Sequence, residues 1–141
     1  MTIMTGLFEV IEFQAEGHPI EFLRVRSFRK EADSTFTPEE FSGFLNYIAA
    51  NPESGVRIPG TSGLRKIRWR AKGSGKRGGA RVIYYFRDLN MPLLLLAVYP
   101  KGHVVQLSAA RMKEIDRKVE FLISELACSR SEADRYAGRR A

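Results

Sequence analysis

The sequence has one cysteine, two histidines and no long apolar run, and each scarcity closes off a class of protein. Cys128 has no second thiol to pair with, so the fold rests on its own core and a reducing cytoplasm is the expected home. His18 and His103 together with that thiol complete no spacing known for zinc, so no metal or other cofactor is expected. Neither histidine is paired in sequence with a serine or cysteine nucleophile in any recognised hydrolase pattern. The longest apolar stretch, Met91 to Tyr99, falls far short of the roughly 20 residues a helix needs to cross a bilayer. No charged start, apolar run and small-residue cleavage site opens the chain, so neither membrane insertion nor secretion is expected.

A more local absence says more. From Ser54 through Arg87 there is no aspartate or glutamate, while ten of the chain's 23 lysines and arginines fall there, leaving 13 against 16 acids elsewhere. The net charge of +7 is therefore concentrated in one tract of an otherwise mildly acidic protein. Such segregation costs self-repulsion in the folded state. A polyanion that releases its counterions on binding is the simplest physical reason to keep it. RNA, DNA and an acidic protein all fit that description.

At 141 residues, with 44% hydrophobic and 28% charged residues, the chain has the composition of one ordinary globular domain. Leu7 to Phe13 reads as a strand and Ala15 to Pro19 as a turn, but residues 1–20 are set apart as an N-terminal extension. Glu21 to Phe28 alternates as a strand should, with Phe22 and Val25 apolar. Thr37-Pro38-Glu39-Glu40 then supplies an N-cap, a proline at N1 and acids in the first turn. Phe41, Phe44, Leu45 and Ile48 follow with core-facing helical spacing until Asn51-Pro52 closes the helix.

After a loop from Gly55 to Gly63, Ile67 and Trp69 alternate with Lys66, Arg68 and Arg70, predicting a strand with one buried and one cationic face. Glycines at 73, 75, 78 and 79 mark a connection to a second strand, Ala80 to Phe86. Leu93 to Tyr99 is apolar on both faces, as in a covered central strand. Ser108 caps a last long helix with Met112, Ile115, Val119, Leu122 and Leu126 on one stripe. Residues 128–141 form a charged tail in which fraying is expected. The expected class is a small α+β domain over residues 21–127, an antiparallel sheet of about four strands packed against an N-terminal helical segment and a long C-terminal helix.

Gly75-Lys76 does not make a nucleotide-binding phosphate loop, because Arg70 stands where the leading glycine is needed and Arg77 where serine or threonine is needed. What remains is a cationic surface. Its most economical chemistry is cleavage of RNA by the RNA's own 2′-hydroxyl, a nucleophile that DNA lacks. The reaction passes through a phosphorane with extra negative charge, which guanidinium groups stabilise more than the ground state. A lysine crowded by other cations can then serve proton transfer near neutral pH. Lys66, Arg68 and Arg81 share one open face if their strands pair around the glycine-rich connection.

Pro59-Gly60-Thr61-Ser62-Gly63-Leu64-Arg65-Lys66-Ile67-Arg68-Trp69, followed by Gly73-Ser74-Gly75-Lys76-Arg77-Gly78-Gly79-Ala80-Arg81-Val82-Ile83-Tyr84-Tyr85, resembles the HigB-type branch of the RelE toxin superfamily. The likeness is strong over residues 51–101 and weaker in the flanking helices. It implies a RelE-like fold and a toxin of a type II toxin–antitoxin pair that cuts messenger RNA in the ribosomal A site. Its partners would be a cognate antitoxin, the ribosome and mRNA, with operator DNA reached only through the antitoxin complex. By motif position it implies acid/base work for Lys66, and phosphate positioning and charge stabilisation for Arg68, Arg81 and Lys101. Arg65, Arg70, Lys72, Lys76 and Arg77 would grip RNA.

One departure concerns the base. The family's C-terminal tyrosine, which helps to activate the 2′-hydroxyl, is matched here by Leu107, leaving Tyr85, Tyr99 and His103 as candidates to replace it. A non-catalytic module binding RNA, DNA or ribosome through the same surface, and an adaptor for an acidic protein, are the competing readings.

Overall fold

The computed structural model describes residues 8–13, 15, 17–71, 79–100 and 108–140, with side chains as far as residue 125. In chain order the elements are β1 (Phe8–Ile11), β2 (Phe22–Val25), α1 (Arg26–Thr35), α2 (Pro38–Ala50), β3 (Val56–Arg57), β4 (Arg65–Trp69), β5 (Ala80–Tyr85), β6 (Leu93–Pro100) and α3 (Ala109–Arg140).

Helix α2 starts where the sequence predicts. The Thr37 hydroxyl accepts the Glu40 N–H at 3.1 Å and the Glu40 carboxylate accepts the Thr37 N–H at 2.8 Å, closing a reciprocal cap. Phe44, Leu45 and Ile48 of that helix are buried. Rings then link the layers: Phe28 of α1 meets Phe41, Phe41 meets Phe44, and Phe44 stands edge-on to Trp69 of β4 at 5.6 Å. The Trp69 indole N–H donates to the Glu40 carbonyl at 2.8 Å, so α2 is held to one face of β4 by packing and by a hydrogen bond.

The protein is α+β, but its sheet is larger than the sequence predicts. Six strands run in the order β1-β2-β6-β5-β4-β3, and they are mixed rather than all antiparallel, because β2 lies parallel to β6. Two short strands account for the excess over four. β3 pairs only Val56 with Lys66 and Arg57 with Arg65. β1 pairs antiparallel with β2 after a turn in which Gly17 adopts a φ of +76° and the His18 N–H donates to the Ala15 carbonyl. Phe8, Ala15 and Ile20 are buried in the common core, so the described part of residues 1–20 belongs to the sheet and its packing.

The second correction concerns Glu21 to Phe28, expected as one strand. The strand stops at Val25 and the chain turns into α1 at Arg26. Beyond the end of β2, the edge of β6 is met by α1 instead of a strand: the Val98 N–H donates to the Glu31 carboxylate at 3.3 Å. Phe28, Ala32 and Thr35, spaced four and three apart, carry α1 into the core.

In the middle of the sheet β5 and β6 pair with a bulge, Ile83 opposite Ala97 but Tyr84 opposite Leu95. Both strands are almost wholly buried. Ser108 caps α3 by accepting the Arg111 N–H at 3.2 Å. Ile115, Val119 and Leu122 enter the core and Met112 packs at its margin. Helix α3 continues to Arg140, past Cys128, where the sequence predicts fraying. Among the described residues no helix is long and apolar enough to cross a membrane.

Candidate nucleic-acid interface

Strand β4 divides its side chains by parity. Lys66 and Arg68 are exposed, while Arg65, Ile67 and Trp69 on the other face are partly covered. The register with β5 places Arg68 opposite Arg81 and Lys66 opposite Ile83, and paired residues project from the same face. Arg81 is in turn paired with Tyr99 of β6. Arg68, Arg81 and Tyr99 therefore form one row across three strands, and Lys66 stands two residues along β4 on the same face. Ile83 and Tyr85 continue this face along β5 but are buried, whereas Arg81 and Tyr99 are partly covered and Lys66 and Arg68 are exposed.

The pairing depends on Gly79 at the entry to β5. Its φ is +103°, and a Cβ there would lie 2.6 Å from the Trp69 carbonyl oxygen. Only glycine lets the two backbones approach this closely without strain.

No described acid neutralises the row. Among the described residues, Lys66, Arg68 and Arg81 take part in no ion pair. The Arg81 Nη1 is buried and has no acceptor among them. A cationic donor held at the margin of a core with no partner is costly to keep, and is the sort of group that calls for an external anion. The Tyr99 phenol is half-buried, and burial pushes its pKa above the ordinary phenol value while the nearby Arg81 guanidinium pulls it down by less. A phenol so held keeps its proton at neutral pH, the opposite of what a general base needs.

The remaining candidates fall elsewhere. Arg65 turns to the opposite face, where its Nη1 donates to the Glu53 and Gly55 carbonyls at 2.9 and 2.8 Å, so this guanidinium secures the loop before β3 instead of joining the row. Arg70 is exposed just beyond β4. Tyr85 is only 8% exposed, with its ring against Gly63. Lys72, Lys76, Arg77, Lys101 and His103 lie outside the described residues.

One neighbour escaped the sequence reading. Val56, opposite Lys66 on β3, is 70% exposed and extends this face with an apolar contact. Nothing in the composition marked it, because a two-residue strand leaves no periodicity. Among the described residues no three His, Cys, Asp or Glu side chains come together as a group that could hold a metal ion. No protein-family model matches the chain.

Proposed function

We propose that this chain is the toxin of a type II toxin–antitoxin pair with a RelE-like domain, acting in the cytoplasm as a ribosome-dependent endoribonuclease on mRNA. The observation that carries the reading is the opposition of exposed Arg68 and partly covered Arg81 on one sheet face, free of acids of the protein's own among the described residues. Two guanidinium groups on adjacent strands, about 5 Å apart at their Cβ atoms, can span one phosphodiester. In the proposed reaction the RNA 2′-hydroxyl attacks the adjacent phosphorus, and both arginines stabilise the phosphorane more than the starting diester. Lys66, exposed on the same face, is the amine available for proton transfer. A cognate antitoxin would silence the toxin by covering this charge, and operator DNA would be reached only through that complex.

The test is purified protein added to ribosomes translating a defined message. The wild type cuts the message, and Arg81→Ala keeps ribosome affinity within a few-fold but slows cleavage by roughly 10²-fold or more. A message left intact by the wild type defeats the enzymatic reading. It leaves the competing one, a non-catalytic binding module, which Leu107 in place of the family's tyrosine favours. Its affinity should fall steeply with salt.

A further inference from the structure

We propose that Tyr99 is the general acid of the cleavage, delivering its phenolic proton to the departing 5′-oxygen of the RNA. The inference rests on the endoribonuclease reading and adds a catalytic role that the family motif does not supply.

Cleavage by a 2′-hydroxyl needs two proton transfers. The 2′-oxygen forms its bond to phosphorus as the bond from phosphorus to the 5′-oxygen breaks, giving a 2′,3′-cyclic phosphate and a 5′-hydroxyl. The 2′ proton leaves to a base, for which Lys66 is the described amine on this face. The proton that completes the 5′-hydroxyl must come from a donor on the other side of the phosphorus. Guanidinium groups stabilise charge but do not release protons near neutral pH, so Arg68 and Arg81 do not serve.

Tyr99 is placed for that task by register. It is the cross-strand partner of Arg81 on the side away from Arg68, so the row runs cation, cation, phenol across β4, β5 and β6. Strands lie about 4.8 Å apart, so a phosphate seated on the two arginines has the phenol one strand away on β6 and Lys66 two residues along β4. The two proton-transfer groups thus approach the phosphate from different directions, the phenol from across the strands and the amine from along β4. Burial keeps the phenol protonated before reaction, and the adjacent Arg81 steadies the phenolate formed as the proton leaves. Water then restores the phenol. Tyr85, the other tyrosine on this face of β5, is four residues from Arg81 and buried, so it cannot replace Tyr99.

The experiment compares wild type and Tyr99→Phe on ribosome-bound mRNA whose scissile 5′-oxygen is either oxygen or a bridging sulfur. A thiolate leaves without protonation, so the sulfur substrate bypasses the acid. With oxygen, Tyr99→Phe should lower kcat by roughly 10²–10³-fold at unchanged KM, within the range of general acid catalysis. With sulfur, the variant should cut nearly as fast as wild type. An unchanged melting temperature shows that the variant folds. Equal losses on both substrates, or no loss on oxygen, overturn the role of Tyr99 while leaving the nuclease reading intact. A wild type that cuts neither substrate overturns both.

Discussion

Glu31 and Arg111 meet at 2.9 Å, and the same carboxylate accepts the Val98 N–H through its other oxygen at 3.3 Å. One side chain of α1 thus ties the edge of β6 to the first turn of α3, on either side of the segment that joins them.

Removing the two partners should therefore have unequal effects. Glu31→Ala leaves the Val98 N–H at the sheet edge without its acceptor and should cost about 1–3 kcal/mol. Arg111→Ala breaks only a partly exposed ion pair and should cost about 0.2–1 kcal/mol. Urea midpoints of the two variants check the order, and equal losses would show that the backbone amide does not depend on Glu31.

Tyr84 should make stability depend on alkaline pH. Its hydroxyl accepts the Gly55 N–H at 2.8 Å and donates to the Pro52 carbonyl at 2.9 Å, fixing the loop before β3. Burial raises this phenol above its ordinary value, outweighing the Gly55 hydrogen bond and the Arg65 guanidinium, which lower it. The folded protein then holds the proton more tightly than the unfolded chain. Stability is at its full value below the ordinary phenol pKa of about 10 and falls as pH rises through the folded value. Tyr84→Phe should lose about 1–3 kcal/mol at neutral pH from the unmet backbone groups. It should also melt with a shallower decline between about pH 9 and pH 11, the remaining slope owing to Tyr99, which is raised in the same sense. Parallel melting curves for the two proteins across that range would contradict the assignment.

Gly79→Ala should strain the pairing that forms the row. A φ of +103° combined with a contact of 2.6 Å to the Trp69 carbonyl leaves no room for a methyl group. Strained backbone of this kind costs about 1–3 kcal/mol, and relief requires β4 and β5 to separate where Arg68 faces Arg81. The variant should lose both melting temperature and RNA affinity. A gain in stability, as seen when alanine fits a glycine site, would show that the backbone can relax at no cost.

Much of this was legible in the chain because it depends on neighbours in sequence. Thr37 and Glu40 cap α2 because capping is decided within four residues. Strand β4 exposes Lys66 and Arg68 because strands alternate with a period of two. The same parity marked Arg65 for the opposite face, although its charge had suggested RNA. Helix α1 also left a signal in the spacing of Phe28, Ala32 and Thr35, which a short alternating run from Phe22 overrode.

Local pattern thus determined helices α2 and α3 and strands β4, β5 and β6, which face of β4 is charged, and that the charge lacks acids nearby in sequence, but not α1 or the two-residue β3. Only the tertiary structure decided that β2 runs parallel to β6, that Arg81 falls between Arg68 and Tyr99, and that one Glu31 oxygen caps a strand edge 67 residues away. Those relations depend on register and on contacts between distant segments. They are set by how the whole apolar surface can be buried at once, and no window of sequence contains that balance.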